Sequence, residues 1–237
     1  MADLQPDRWD ELLQQTTQAG ARQPERIAEL CVDMLGVTGA GISLVSDTGT
    51  RGVICATDDV AMRIEELQVT LGEGPCMDTV TTGGPVLVPD LDDRLDLAGD
   101  RWPAFLSAVA RAGVRAVFAF PLRIGVIQLG ALDLYRDAPG ALGVDQLGAA
   151  LLAADAAGVA LLSLQKEEET GLALDVTSGS FQPQVHQATG MVMVQAGVTI
   201  EQAFLLLRAR AFASGRSLSE VSADVVGRRL RFDSEDL

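Results

Sequence analysis

The sequence predicts an α+β protein: an antiparallel sheet with flanking helices, then a long helix, then a small bundle of three short helices. Three observations lead to this prediction. Strand patterns and helical patterns follow one another across residues 40–135 without the strict strand–helix alternation of a parallel sheet. Small and apolar residues recur along residues 145–169 at alternating intervals of four and three. Two helix-capping sequences, separated by a glycine, lie within residues 199–220.

These patterns divide the chain of 237 residues into five segments. A helical segment covers residues 1–23, and a sensor-like domain follows over residues 24–144. A long connector or dimerisation helix and its linker cover residues 145–180, where glycine, serine and threonine mark the linker. The three-helix domain covers residues 181–232, and residues 233–237 form an acidic tail.

Hydrophobic periodicity assigns the elements of the first two segments. The predicted helices are Asp7–Gln18, a helix that follows Pro24 and stops at Gly36, Asp58–Leu67 and Pro103–Ala112. The predicted strands are Ala40–Val45, Gly52–Ala56, Pro85–Val88, Ala116–Pro121 and Val126–Tyr135. A turn-forming sequence between the first two strands predicts a hairpin. The stretch Leu71–Met77 has neither period and is expected to be irregular.

The long helix is predicted over Asp145–Glu169. One seam along it consists of Leu147, Leu151, Ala154, Gly158, Leu161 and Gln165. A seam with this spacing is typical of a helix that pairs with a second copy of itself. The helix extends well beyond the last predicted strand and ends in a charged run, which favours a dimerisation helix that continues into a connector. The alternative is a terminal helix that packs on its own domain.

The three-helix domain has the clearest local signals. Pro183 stands at a first helical position, and Gly197 closes that helix. Thr199–Gln202 is a capping box that opens the second helix, and Gly215 follows its end. Ser217–Glu220 is a second capping box that opens the third helix. Ala203, Phe204, Leu207 and Ala211 share one face of the second helix, and Leu218, Val221 and Val225 share one face of the third, which indicates that these faces form a core.

Charge is distributed unevenly along the chain. The whole chain has a net charge of −15, and residues 1–181 carry 12 Lys and Arg against 27 Asp and Glu. Residues 182–232 instead carry six arginines and three acids, a net charge of +3. A polyanion would be repelled by the acidic body and attracted only to this basic segment.

The composition also excludes several classes of function. The most apolar stretch, Leu147–Leu164, is interrupted by Asp155 and by many alanines, so we expect no membrane span. The N-terminus has no secretory signal, and a cytoplasmic location is expected. The single histidine, His186, excludes a zinc site with two imidazoles, and no metal, cofactor or catalytic residue is assigned.

The three cysteines, Cys31, Cys55 and Cys76, are widely spaced and form no CxxC pair, which fits reduced thiols in a cytoplasm. Cys76 follows a glycine-rich stretch that could precede a helix N-terminus, where a thiolate would be favoured. We favour the interpretation of Cys76 as a small buried residue. A redox or ligand-attachment role is the alternative.

Two sets of spaced segments resemble known families. His186–Met191, Gly197–Phe204, Leu207–Phe212 and Gly215–Val221 agree in order with an ANTAR domain, which residues 181–232 closely resemble. The preceding part, about residues 20–165, resembles a GAF domain of the kind joined to ANTAR in actinobacteria. Its segments are Leu71–Cys76, Arg101–Pro103, Gly113–Val117, Pro121–Leu122 and Leu129–Leu134.

This resemblance implies a signal-responsive regulator that binds hairpin loops, usually paired, in nascent transcripts and promotes transcription antitermination. The GAF domain would sense an unknown small molecule, with a pocket near Leu71–Met77, and the protein is expected to be a homodimer without enzymatic activity. RNA bases are read mainly in unpaired loops, where arginine can stack or bond. The residues expected to contact RNA are His186, Gln187, Thr189, Gly190, Arg208, Arg210, Ser214, Arg216, Arg228 and Arg229. Many ANTAR domains carry a lysine where this chain has Thr189.

Two other classes of function stay open on the sequence. Three short helices can mimic a helix-turn-helix, so a DNA-binding transcription regulator is one alternative. Some GAF domains reduce small molecules through cysteines, so a cysteine-dependent reductase is the other.

Overall fold

The computed structural model describes residues 20, 22–45, 51–93, 101–169 and 183–232. The helices are α1 Gln23–Leu35, α2 Asp59–Leu71, α3 Pro75–Thr82, α4 Pro103–Arg111, α5 Val144–Glu169, α6 Pro183–Ala196, α7 Ile200–Ser214 and α8 Leu218–Val226. The strands are β1 Gly39–Val45, β2 Arg51–Ala56, β3 Val86–Val88, β4 Ala116–Ile124 and β5 Ile127–Arg136. The predicted helix Asp7–Gln18, the residues of the hairpin turn, the linker after α5 and the acidic tail lie outside the described residues.

The five strands form one sheet in the order β2-β1-β5-β4-β3, and every neighbouring pair is antiparallel. The α+β class and the antiparallel sheet predicted from the sequence are confirmed. Strand β4 runs to Ile124 rather than Pro121, because it continues as a hairpin with β5 in which Ile124 faces Ile127. The predicted hairpin of β1 and β2 is also present.

Helices cover both faces of this sheet. Residues Ala116 to Leu122 of β4 are all buried, as expected for a strand enclosed on two sides. Phe118 and Phe120 face one core, which α1 and α5 cover. Val117 and Tyr135 face the other core, which α2 and α4 cover. Successive residues of a strand point to opposite faces, so one strand serves both cores.

Helix α2 is anchored at both ends. At its start, Asp58 accepts hydrogen bonds from the backbone N–H groups of Val60 and Ala61, each at 2.8 Å. The Tyr135 hydroxyl donates to the same carboxylate at 3.1 Å, which ties the helix to β5. At its end, Gly72 adopts the left-handed conformation with φ of 68°, which a glycine enters without strain. The helix therefore ends at Leu71, four residues later than the end at Leu67 that the sequence predicted.

Helix α3 corrects the sequence prediction, which placed irregular structure over Leu71–Met77. Pro75 occupies the first turn of α3, and Gly83 ends the helix in the left-handed conformation. Proline at the first turn and glycine after the last are ordinary helix signals. The helix has eight residues, too short to show an apolar period, so the sequence pattern did not reveal it.

Helix α5 packs on its own domain. Ala154, Gly158 and Leu161 of the predicted seam are buried, and the first and last of these belong to the core formed with α1 and the sheet. Leu151 of the same seam is 41% exposed, and Leu152 and Val159 are 37% and 57% exposed. By length and composition Val144–Leu164 could cross a membrane, contrary to the expectation from sequence, but half of that window is buried inside the protein.

The last three helices form a bundle with the predicted boundaries. Both capping boxes are present: the Thr199 hydroxyl accepts from the Gln202 N–H, and the Ser217 hydroxyl accepts from the Glu220 N–H. Gly215 ends α7 in the left-handed conformation. The apolar faces meet in one core, whose buried members are Val185, Ala188, Val192, Ala203, Leu207, Ala211, Leu218, Val221, Val225 and Phe232.

Candidate functional site

A group of arginines lies where the ends of α7 and α8 meet. The Asp224 carboxylate accepts from Arg216 Nη1 at 2.8 Å and from Arg229 Nε at 2.7 Å. Arg216 follows the end of α7, and Arg229 follows the end of α8, so one acid draws the two turns together. We call Arg216, Asp224, Arg228 and Arg229 the arginine edge. Hydrogen bonds from its two arginine partners hold the pKa of the Asp224 carboxyl below its usual value.

The backbone after α8 contributes to this arrangement. Arg228 has a φ of 57°, in the left-handed region that residues other than glycine seldom adopt. The turn is held by hydrogen bonds from the N–H of Arg228 to Val225 O at 3.0 Å and from the N–H of Arg229 to Asp224 O at 2.8 Å. The side chains of Arg228, Arg229 and Arg231 are all exposed. The edge is thus a positively charged surface on a defined turn.

Arg208 and Arg210 diverge. Two residues along a helix correspond to a rotation of about 200°, so the two side chains leave α7 on different flanks. Arg210 is exposed. Arg208 is half-buried, and its Nε donates to the Thr70 carbonyl oxygen of α2 at 2.9 Å. The structure therefore places one predicted contact residue on the solvent surface and the other against the sensor-like domain.

The remaining predicted residues are distributed along α6 and α7. His186 and Gln187 are exposed on α6, and Gly190 is half-buried with open space where a Cβ would lie. Ser214 is exposed at the end of α7, where its hydroxyl donates to the Arg210 carbonyl at 2.8 Å.

Thr189 was predicted to contact RNA, but the structure buries it. Its side chain is 4% exposed, and its hydroxyl donates to the Val185 carbonyl one turn earlier at 2.7 Å. A hydroxyl satisfied in this way inside the bundle has no reason to reach RNA. The sequence contained the signal, because Val185, Thr189 and Val192 are spaced four and three apart and so lie on the apolar face of α6.

A narrow space, with no room for a water molecule, lies between α2 and the sheet of the sensor-like domain. Its lining residues are Gly41, Ala61, Ile64, Glu65, Val117, Asp133, Leu134 and Tyr135. The sequence placed the pocket near Leu71–Met77, but the lining comes from α2 and from strands β1, β4 and β5. Of that stretch, Cys76 lies beside Glu65 and Asp133, and Leu71 packs on the core that contains Ala61 and Tyr135.

Glu65, Cys76 and Asp133 form a buried polar cluster at this space. Their side chains are 1%, 2% and 3% exposed, and one potential ligand atom of each lies within 4.8 Å of the others. Gln68 connects two of them: its Nε2 donates to Asp133 Oδ2 at 3.1 Å, and its Oε1 accepts from the Cys76 N–H at 2.7 Å. Two carboxylates and a thiol of this kind could hold a metal ion.

Glycine makes room for the cluster. A Cβ atom on Gly41 would lie 2.5 Å from Glu65 Oε1, so only glycine at this point of β1 allows the carboxylate to approach the sheet. Glu65, Gln68 and Asp133 were not predicted as site residues, because α2 and β5 are distant in the chain. A buried acid in a strand with apolar neighbours, as in Leu129–Leu134, was the one available signal.

The other two cysteines are buried away from solvent. Burial raises the pKa of the Cys31 thiol to about 12 and that of the Cys55 thiol well above its usual value. Only a thiolate is a strong nucleophile, so neither residue is suited to attack a substrate near neutral pH. Cys76 is also buried, as the sequence analysis favoured, and its sulfur lies 3.4 Å from the Ser43 hydroxyl.

Comparisons with known proteins identify two domain families in the chain. A family model described as ANTAR domain matches residues 182–226, and one described as GAF domain matches residues 25–162. Solved structures with a similar fold include the GAF domain of a phosphoenolpyruvate-protein phosphotransferase from Acinetobacter, with 10% identity and a TM-score of 0.54 over 70% of this chain and 97% of that one. The corresponding domain from Coxiella burnetii has 13% identity and a TM-score of 0.51 over the same shares. No curated protein matches the chain.

Proposed function

This chain belongs to the GAF domain family and ends in an ANTAR domain, and we propose that it is a regulator without enzymatic activity that binds RNA hairpins and promotes transcription antitermination. The arginine edge carries this proposal. In it, the exposed side chains of Arg216 and Arg229 surround Asp224, Arg228 is exposed on the turn next to Arg229, and Glu220 lies close to Arg216. Arginine matches phosphate geometry and stacks on unpaired bases, which suits a loop of RNA.

The edge is also ordered before any RNA arrives. Asp224 fixes two guanidinium groups, and the turn after α8 is held by backbone hydrogen bonds. A surface already ordered loses less side-chain entropy on binding, which favours affinity. Arg210 adds an exposed cation on α7. We propose Arg210, Arg216, Arg228 and Arg229 as the main RNA contacts, with His186, Gln187, Gly190 and Ser214 as secondary ones.

A filter-binding titration tests the proposal with an RNA that carries two adjacent hairpins and the same RNA with scrambled loops. The variants are Arg210→Gln and Arg228→Gln, whose side chains are exposed. Each is expected to weaken binding and to lower the slope of log affinity against log salt by about 0.7, because one phosphate contact is lost. The control is Arg63→Gln, an exposed arginine of α2 with the same change of charge.

Several outcomes would contradict the proposal. Equal affinity for intact and scrambled loops would remove loop recognition, and an equal loss with Arg63→Gln would reduce the effect to overall charge. Preference for duplex DNA of matching sequence would favour the DNA-binding alternative. The burial of Cys31 and Cys55 weighs against the cysteine-dependent reductase.

The GAF domain and α5 complete the proposal. We propose that the signal is sensed beside Glu65 and Asp133, where α2 has to move outward to admit a small molecule, and that the protein acts in the cytoplasm. The exposed face of α5, with Leu151, Leu152 and Val159, supports a homodimer formed through that helix. Sedimentation of the RNA-free protein at micromolar concentration tests this, and a monomer would contradict it.

A further inference from the structure

The ANTAR domain docks on the sensor through the last turn of α2. Arg208 Nε donates to the Thr70 carbonyl oxygen at 2.9 Å. The last carbonyl groups of a helix lack partners within the helix and carry the negative end of its dipole, so a guanidinium there stabilises the helix end. Gly72 is part of this contact, because a Cβ atom at that position would overlap the Arg208 guanidinium.

Two further contacts belong to the same surface. The Ser219 hydroxyl at the start of α8 donates to Glu66 Oε1 at 3.0 Å. The Val69 side chain packs against the apolar core of the ANTAR domain. Val69 and Thr70 lie three and four residues after Glu66, so both are neighbours of Glu66 on one side of α2. We call these three residues, with Gly72, the docking stripe.

The neighbouring stripe of the same helix faces the sensor interior. Ala61, Ile64 and Glu65 line the space behind α2. Gln68, one turn further on, bonds to Asp133 and to the Cys76 backbone. A shift of α2 that changes this inner stripe therefore also moves the docking stripe, because a helix turn is a rigid unit.

We propose that the docking stripe competes with RNA for the ANTAR domain, so that the docked chain is the low-affinity state. This inference rests on the proposed RNA-binding function. In the docked state Arg208 is engaged by Thr70, and the ANTAR domain is held against α2 of the sensor-like domain. The chain that precedes the ANTAR domain, residues 1–181, carries 27 acids and 12 cations. This acidic part of the chain repels a polyanion. A signal that favours the undocked geometry raises RNA affinity, since a ligand shifts an equilibrium only through its preference for one state.

The test uses the full chain with Val69→Glu, which places a carboxylate against the apolar core of the ANTAR domain without changing any proposed RNA contact. Arg63→Gln is the matched control, because it is exposed on the same helix and lowers the net charge by the same amount. Val69→Gln repeats the disruption without a new charge. Docking is measured by small-angle X-ray scattering without RNA, and affinity is measured by filter binding to the two-hairpin RNA.

Val69→Glu and Val69→Gln are expected to increase the radius of gyration and to tighten RNA binding about tenfold, a typical coupling between two sites. The added negative charge of Val69→Glu would by itself weaken RNA binding, so electrostatics cannot produce a gain in RNA affinity. Arg63→Gln is expected to match the wild type in dimensions and not to gain affinity.

Other results overturn the inference. An expanded Val69→Glu chain with unchanged or weaker RNA binding would refute the competition and leave the RNA-binding proposal standing. Unchanged dimensions and unchanged affinity would show that Val69 does not hold the domains together. No loop-dependent binding by any chain, including an expanded one, would refute both the competition and the proposed function.

Discussion

Gln68 links two buried polar groups in the interior of the sensor. It is 1% exposed and bonds to both the Asp133 carboxylate and the Cys76 N–H. Gln68→Leu keeps the size of the side chain and removes both bonds. A lost bond to a buried carboxyl group and a buried N–H that loses its acceptor cost about 4 kcal/mol together. The added apolar burial of leucine offsets about 1 kcal/mol, so we expect a net loss of about 3 kcal/mol in the free energy of unfolding.

Urea unfolding followed by tryptophan fluorescence measures this loss, because Trp102 is buried in the same domain, 2% exposed. Gln128→Leu is the matched control: the Gln128 Oε1 atom is buried without a hydrogen-bond partner, so its removal should be neutral or slightly stabilising. A loss below about 1 kcal/mol for Gln68→Leu, or an equal loss for Gln128→Leu, would refute the reasoning, since the two bonds would then not support the domain.

Two further predictions concern pH and capping. Burial and the neighbouring Asp58 carboxylate raise the pKa of Tyr135 to about 12, above its ordinary value of 10.0. The stability from this neutral hydroxyl is therefore complete below pH 10.0 and is lost as the pH rises through 12. Urea midpoints should fall over this range more in the wild type than in Tyr135→Phe, and parallel curves would contradict the assignment. Thr199→Ala removes the α7 capping box and should destabilise the ANTAR domain by about 1 kcal/mol; circular dichroism during thermal unfolding measures this, and an unchanged transition would show that the cap is dispensable.

The RNA-contact prediction depended on residue type more than on position. Counting arginines in residues 182–232 identified a basic module, and the structure assembles Arg216 and Arg229 around Asp224 as one edge. The count could not separate Arg208 from Arg210, because the partner of Arg208 lies 138 residues earlier in the chain. Thr189 was misplaced for a different reason: its polar side chain was weighed above its position on the apolar face of α6.

Local signals in the sequence determined the helices of the ANTAR domain, the five strands and most helix ends. Capping boxes at Thr199 and Ser217 and left-handed glycines at Gly36 and Gly215 act within one turn of the chain, so they can be recognised without knowledge of the fold. The near-continuous apolar runs of β4 and β5 similarly indicate strands that are buried on both faces.

Only the tertiary structure decided which distant residues meet. Glu65, Cys76 and Asp133 converge because α2 and α3 pack on the face of the sheet to which Asp133 points. Arg208 meets Thr70 because the ANTAR domain docks at the end of α2. Each contact joins residues far apart in sequence, and its free energy depends on the packing of whole elements. No period or motif of a few residues carries that information.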